Sequence, residues 1–530
     1  MITLRELTML QLMNSITDKP GWNIKINDPD ITQKWKDEAL GSGCDITTKM
    51  VDWCIHELQY RATLIPAPPE KSPPVFVYNG DVFKSDIAVS HDLKKEIQEA
   101  VKKFEANIPE RLKDWHPNSD EKVWDLVHPS LFPLIYGRTR VLANGETTTL
   151  DDCIRRSGEG EIAPVPPEDQ TVELGATAAR YSWETNHSEN PFSTKFQWLP
   201  CEVDISANEA KITSYINNLH PQEEKPLYEL VEKLISLSIP LWDSVEIKSA
   251  SSRIPYVDVE YDSDPQNGPK SDEKRPDFSL IEKYGTRGLQ IIVKLANIEL
   301  TPEKPEYSGG SWHVEGQMNE HIVATSLYYY SCENITTSTL SFRQFCNVDD
   351  ANEINYEQHQ HDWLSLIFGC EQDGLAVQEI GGVETREGRL LTFPNILQHR
   401  VGPFKLEDPT KPGHRKIVAL FLVDPNIKVI STANVPCQQQ EWWWEVTRSL
   451  PLQHGQASAS SSSSSSSALA GLGVAGLPVE LQDHILEDVD FPISLEEAKK
   501  LRIELMEERK QFVVKHGAAF QSSTFSLCEH

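Results

Sequence analysis

Paired cysteines are missing from this sequence. Its nine cysteines, at 44, 54, 153, 201, 332, 346, 370, 437 and 528, never fall into a CxxC spacing. An odd, scattered set excludes a disulfide framework and a zinc ribbon, and predicts a reducing compartment. Long apolar runs are missing as well. The longest, Ile417 to Val423, has the length of a strand and cannot cross a bilayer. The opening MITLRELTMLQLMNSI carries Arg5 and Glu6 within its apolar stretch and has no small-residue cleavage site, so it reads as a short amphipathic helix and not a signal peptide. The final Cys-Glu-His is no peroxisomal or retention signal. Cytoplasm or nucleus is the expected location, with no membrane partner. Basic residues are scarce too: 50 Lys and Arg face 80 Asp and Glu, a formal net charge of −30. Such a surface repels phosphate backbones, which argues against generic nucleic-acid binding and for a neutral or basic partner.

What is present suffices for one large core with additions, or for two to three domains: 530 residues, 39% hydrophobic and 25% charged. Residues 1–284 read as mainly helical. Leu93, Ile97, Val101 and Phe104 share one helix face behind Ser90 as a cap, and similar patterns occur near Trp35 to Leu40, Met50 to Leu64 and Leu227 to Leu237. Residues 155–200 and 258–278 are polar and punctuated by Gly and Pro, as loops are. From about Leu289 the texture changes to strand-length runs: LQIIVKLANIEL, HIVATSLYYY, TLSFRQF, GLAVQEI, GRLLTF and KIVALFLV. Their spacing predicts a β-sandwich or small barrel over 285–435, with the N-terminal helices packed outside. A Trp-rich segment (436–454) and a flexible linker (455–477), with serine unbroken from Ser460 to Ser467, lead to a C-terminal helix within 478–517. Ser494 to Glu497 is a capping box for that helix and Gly517 its expected end. Its stripe of Ala498, Leu501, Leu505 and Phe512 must pack on the core or on a partner.

Four strings attract attention and carry little. Gly471-Leu-Gly473-Val-Ala-Gly476 follows serines and not a strand, so it cannot present the turn that a dinucleotide fingerprint requires. His56-Glu57 would need a histidine at 60, where Tyr60 stands. His359, His361 and Asp362 form an HxHD string that reads as a solvated loop before it reads as two imidazoles on one strand face. Trp442, Trp443 and Trp444 read as a buried helix start, because three adjacent indoles point different ways around a helix.

The informative set is His313-Val-Glu315 with a distant His399. In a strand, residues i and i+2 share a face, so His313 and Glu315 can reach one cation. A histidine from a neighbouring strand completes a facial triad of two histidines and one carboxylate, which holds Fe(II) and leaves positions open. Gly309-Gly310-Ser311-Trp312 reads as a turn into that strand, and Arg389 to Pro394 as a strand that breaks before Asn395-Ile-Leu-Gln-His399. Arg415 heads the run Lys416 to Val423, where a guanidinium suits a bidentate bridge to a carboxylate. Ordinary core histidines and a surface arginine are the alternative for the same residues.

The order HxE, FPN…LQHRV and GHRKIVALFLVDP resembles the Fe(II)/2-oxoglutarate-dependent oxygenase superfamily. More closely, WHVEGQMNEHIVATSLYYYSCENIT, KFQWLPCEV, TSYINNLHP and VKLANIELTPEKPEYSGGSWH resemble the largely fungal DUF4246 family, over most of the chain. The resemblance implies an α+β protein whose core is a double-stranded β-helix, a jelly-roll variant. It implies iron ligands His313, Glu315 and His399, and Arg415 as anchor for the distal carboxylate of the cosubstrate 2-oxoglutarate. The implied reaction is oxidative decarboxylation coupled to hydroxylation of a C–H bond. Glu315 stands where most members have Asp, as in Jumonji-type demethylases. The long His399–Arg415 interval makes Lys416 a rival anchor, and strand alternation lets only one of the two face the barrel.

The substrate, small molecule or peptide, is not legible, and neither is the oligomeric state. Trp312, Tyr328, Tyr329, Tyr330 and Trp363 are candidates to line a pocket or to fill the core. Two other readings stay open: a cupin-like metal enzyme without 2-oxoglutarate, and a non-catalytic interaction protein that docks through its C-terminal helix.

Overall fold

The computed structural model describes residues 1–63, 75–78, 81–143, 145–167, 192–207, 209–245, 253–254, 256, 264–265, 278–347, 351, 354–449, 481, 484, 491–522 and 524–525. The helices of the first half are α1 (Leu4–Thr17), α2 (Trp22–Lys25), α3 (Pro29–Leu40), α4 (Thr48–Thr63), α5 (His91–Asn107) and α6 (Lys225–Val245). Later come α7 (Leu280–Tyr284), α8 (Asp362–Phe368), α9 (Gln440–Ser449) and α10 (Leu495–Ser522). The strands before residue 285 are short: β1 (Val75–Tyr78), β2 (Val82–Ser85), β3 (Val123–Val127), β4 (Leu134–Ile135), β5 (Arg140–Val141), β6 (Glu161–Ile162), β7 (Phe196–Gln197), β8 (Cys201–Asp204) and β9 (Lys211–Ile212). The later set is β10 (Leu289–Leu300), β11 (Glu306–Tyr307), β12 (Ile322–Glu333), β13 (Thr339–Phe345), β14 (Val377–Glu384), β15 (Leu390–Pro394), β16 (Gln398–Val401), β17 (Phe404–Lys405) and β18 (Gly413–Val423).

One antiparallel sheet runs β1-β2-β15-β12-β18-β10-β8-β9, with β3 also bonded to β10. A second sheet is β14-β13-β16, and β11 pairs with β17. β18 is bonded along its length to β10 on one side and β12 on the other. Buried on both faces, it reads in sequence as an unbroken apolar run and not as an alternation. The alternation survives in what each face touches. Ala419, Phe421 and Val423 join Ile292, Leu327, Tyr329, Phe342 and Phe393 in a core between the two sheets. Val418, Leu420 and Leu422 join Tyr328 and Tyr330 against α5 and α6. α5 starts where expected, with Ser90 Oγ accepting from the Leu93 N–H at 3.1 Å, and it buries Ile97 and Val101.

The large sheet does not begin at residue 285. β1, β2, β3, β8 and β9 all join it from the region expected to be mainly helical. Runs of two to five residues are too short to register a period of two, so their strand character comes from the long strands they extend. In the same region Arg253 ties α1 to α4: its Nη1 donates to Glu6 at 3.1 Å, and its Nε and Nη2 donate to Glu57 at 2.8 Å each.

The C-terminal helix also differs from expectation. Ser494 Oγ accepts from the Glu497 N–H at 3.3 Å, as a cap should, but α10 continues through position 517 to Ser522. A glycine inside a helix costs only about 1 kcal/mol, so it does not by itself end one. Ala498 and Leu505 are buried in the core between the sheets. Arg502 pairs with Asp114 and Arg509 with Glu320, both buried carboxylates. The helix stripe is therefore covered by its own chain. α9 carries the three tryptophans, with Trp444 buried and Trp442 edge-on to His220 at 5.0 Å. The serine-rich linker at 455–477, and the glycines at 471–476, lie outside the described residues. Among the described residues no helix is long and apolar enough to cross a membrane.

Candidate metal centre

His399 stands on β16, and His313 meets it through a single antiparallel bridge. The His313 N–H donates to the His399 carbonyl at 3.1 Å, and the His399 N–H donates back at 3.0 Å. Here the spacing argument needs correction, because His313 and Glu315 do not share a continuous strand. The chain turns straight after the bridge, with Gly316 at φ +70°. Asn395 does the work assigned to the strand: its Oδ1 accepts from the Glu315 N–H at 2.8 Å, while its Nδ2 donates to the Glu315 and Ile322 carbonyls at 2.9 and 3.1 Å. Gly309, at φ +92°, brings the preceding loop so close that a Cβ would lie 2.8 Å from the Val401 carbonyl oxygen. Only glycine fits there.

The three side chains converge. Glu315 Oε1 is 3.4 Å from His399 Nε2 and 3.9 Å from His313 Nε2, and the two imidazole centroids are 4.4 Å apart. His313 Nδ1 donates to the Ser311 carbonyl at 2.8 Å, which leaves its Nε2 lone pair facing the carboxylate. Phe393 packs on His399 with centroids 4.7 Å apart. Burial and the neighbouring His399 push the His313 imidazole down to about 4. Burial would raise the Glu315 carboxyl, but the hydrogen bond from His399 and the two imidazoles bring it down to about 2. At neutral pH the centre therefore offers a neutral imidazole and an ionised carboxylate, the states a divalent cation requires. One ligand atom from each residue lies within 4.8 Å of the others, a donor set that fits such a cation.

Arg415 faces the core between the sheets. It is 3% exposed, donates from Nη1 to Ser338 Oγ at 2.9 Å, and lies over the Tyr329 and Phe404 rings at 5.6 and 5.3 Å. Its Nε is buried without a hydrogen-bond partner, and no carboxylate among the described residues pairs with it. Lys416 faces the other way, its Nζ 2.7 Å from both Glu105 oxygens on α5. Of the aromatic candidates, Tyr329 faces this core, while Tyr328 and Tyr330 face α5 and α6 and Trp363 belongs to a separate cluster. Trp312, beside His313, has the Arg400 and Arg343 guanidinium groups over its ring at 4.4 and 4.8 Å.

Two further groups bring histidines and carboxylates together: His116, Asp125 and His128, and the more exposed His220, Glu223 and Glu445. In the first, His116 Nδ1 is 2.8 Å from Asp125 Oδ2 and the Ser130 N–H donates to His128 Nδ1 at 3.2 Å. That bond leaves the His128 proton on Nε2, an arrangement suited to a hydrogen-bonded network more than to a ligand. His359 stands exposed in a turn at φ +65°, and the converging groups among the described residues include neither it nor His361. Sequence reasoning missed Asn395, whose hold on the turn leaves no local pattern.

A family model described as "Protein of unknown function (DUF4246)" matches residues 48–277 and 260–446, and a model for "Domain of unknown function DUF4246, N-terminal" matches residues 1–38. No curated protein matches the chain. Among solved structures, the Fe(II)/α-ketoglutarate-dependent dioxygenase TqaL is 14% identical over 64% of this chain and 94% of its own, with a TM-score of 0.24. AviO1 from Streptomyces viridochromogenes Tue57 is 8% identical over 67% and 93%, at 0.24. A bsmA homologue from Methylobium petroleophilum PM1 is 10% identical over 65% and 87%, at 0.26. Overlaps this slight transfer neither fold nor chemistry to the chain.

Proposed function

The chain belongs to the DUF4246 family, and from its His–Glu–His centre we propose that it is a non-haem Fe(II)/2-oxoglutarate-dependent oxygenase, most simply a hydroxylase of a small molecule or peptide. One observation carries the reading: the converging His313, Glu315 and His399 share an interior with Arg415, a buried guanidinium that has no carboxylate of its own. An uncompensated buried charge is costly, and a carboxylate-bearing ligand relieves it.

The strand order supports a double-stranded β-helix. β10, β12, β15 and β18 lie in the large sheet, β13, β14 and β16 in the small one, and β11 precedes the loop that joins the small sheet at Val401. Along the chain the strands of these two sheets run large, large, small, small, large, small, large, with β11 and β17 paired beside them, an exchange between sheets of the kind a jelly roll makes.

Fe(II) with 2-oxoglutarate, when bound, supplies the oxidising chemistry. The chain supplies the geometry. His313 and His399 offer imidazole nitrogens and Glu315 a carboxylate oxygen on one side of the ion. The Arg415 fork suits the distal carboxylate of the cosubstrate through paired N–H bonds. Asn395 and the Ser311 carbonyl hold the ligands in place.

Anaerobic titration with Fe(II) and then 2-oxoglutarate tests this through the weak visible charge-transfer band of the chelate. The band is expected in the wild type, lost in His313→Ala and Glu315→Ala, and weakened in Arg415→Ala. Iron binding without a band leaves a cupin-like metal enzyme in its place. Absence of any metal binding removes the oxygenase.

A further inference from the structure

Lys294 is the second cation of this interior. Strand alternation puts it on the same face of β10 as Ile292, which lies in the core between the sheets, and as Ile298, which packs with Phe404 near Arg415. Its register partner on β18 is Ala419, a small residue that leaves the long side chain room, and Ala419 lies in the same core. On the other edge of β10, Ala296 is opposite Asp125 of β3. Ile292, Phe421, Thr325 and Phe393 form one row across β10, β18, β12 and β15, and Phe393 packs on His399 at 4.7 Å, so Lys294, in the next row on the same face, stands between the His313–Glu315–His399 group and Asp125.

Neither carboxylate pairs with it. Glu315 is held between His313 and His399, and Asp125 takes His116 at 2.8 Å with Arg502 at 3.9 Å. No ion pair or hydrogen bond joins the Lys294 ammonium to any described residue. Arg509 reaches the same wall. It stacks on Trp198 at 3.9 Å and pairs with Glu320, yet its Nε and Nη1 are buried without hydrogen-bond partners. Trp198 in turn stacks on Phe421 of the inner face, with centroids 6.1 Å apart. On the inner wall, therefore, neither Lys294 nor Arg415 has a paired carboxylate among the described residues, Glu315 being taken up by His313 and His399 and Asp125 by His116, and a divalent cation would add to the positive side.

We propose that Lys294 anchors a carboxylate at the metal end of this interior, a second anion position beside the one at Arg415. The two differ in reach: Lys294 and Ile298, the register partner of Arg415, are four residues apart on β10, about 13 Å of strand. Lys294 acts as a positioning residue for a carboxylic acid, whether that acid is the cosubstrate or the substrate. The inference rests on the proposed function only in taking this interior as the ligand site.

The test is calorimetric titration of the Mn(II)-loaded full chain with 2-oxoglutarate and with succinate, in wild type, Lys294→Met and Lys294→Arg. The expected result is a loss of about tenfold or more in affinity for at least one acid in Lys294→Met, with most of it restored in Lys294→Arg and Mn(II) affinity unchanged. Lys294→Met should also melt no lower than wild type, because it removes an ammonium with no partner to lose. Equal binding of both acids by wild type and Lys294→Met overturns the inference and leaves the oxygenase reading intact. Lys294-dependent binding of succinate without binding of 2-oxoglutarate upholds the inference and removes that cosubstrate. A markedly lower melting temperature in Lys294→Met makes the residue structural, and failure of both acids to bind the wild type overturns both readings.

Discussion

The Glu315 carboxylate owes its place to Asn395, whose amide grips the backbone on both sides of the turn at Gly316. Removing that clamp leaves all three ligands present but poorly aimed. Asn395→Ala is expected to weaken Mn(II) or Fe(II) binding by about 10- to 100-fold while the protein still folds, as a metal titration beside a thermal melt would register. His313 makes a second prediction, about acid. In the unfolded chain it takes a proton near the ordinary histidine value of about 6.5, whereas in the metal-free fold it resists until about 4. The unfolded state therefore binds more protons in that window, and stability contributed by neutral His313 falls as pH drops from about 6.5 towards 4. In the metal-free protein, His313→Gln should flatten the decline in melting temperature over that interval. An unchanged slope would place the imidazole in a more ordinary environment. At this scale the grouping of His313, Glu315 and His399 was legible because their residue types and spacing are informative. The reason offered, two alternate positions on a strand, was not the one that operates, since an asparagine eighty positions away in sequence leaves no local pattern.

At the scale of elements, β18 sends Arg415 and Lys416 to opposite faces. Adjacent strand residues face opposite ways, so one enters the core and the other reaches Glu105 on α5. Lys416→Ala should leave metal and cosubstrate binding unchanged but lower stability by about 1–3 kcal/mol, read from denaturant unfolding, because the half-buried Glu105 loses its partner. A larger effect follows between α1 and α4. Glu57 is held well below the usual carboxylate range, burial being outweighed by Arg61 and Arg253. Arg253→Ala takes a guanidinium from two buried carboxylates, leaving Glu57 with Arg61, and should cost about 3–5 kcal/mol. Stability from Glu57 is complete above about 4.5 and is lost as pH falls below it. The long strands were legible from their apolar runs, and the helices from caps and periodicity. The five short strands that widen the large sheet were not, because β-pairing depends on the neighbour as much as on the segment.

For the whole molecule, a strongly acidic chain encloses an interior in which Arg415 has no carboxylate partner among the described residues. The outer field would repel the anionic ligand proposed for that interior. Raising ionic strength screens the first more than the second, so the association rate of a dicarboxylate with the metal-loaded protein should rise with moderate salt, in stopped-flow mixing. The role of α10 was only half legible. Its stripe demanded a partner, but nothing local says that the partner is the chain's own core.

The pairs made by α10 also set an order in time. Asp114 and Glu320 are buried, and each waits for an arginine that follows it by 388 and 189 residues respectively. During synthesis the sheets can form long before Arg502 and Arg509 leave the ribosome. Until then two carboxylates lack the charges that make their burial tolerable, so α10, which emerges after both sheets, completes their pairing.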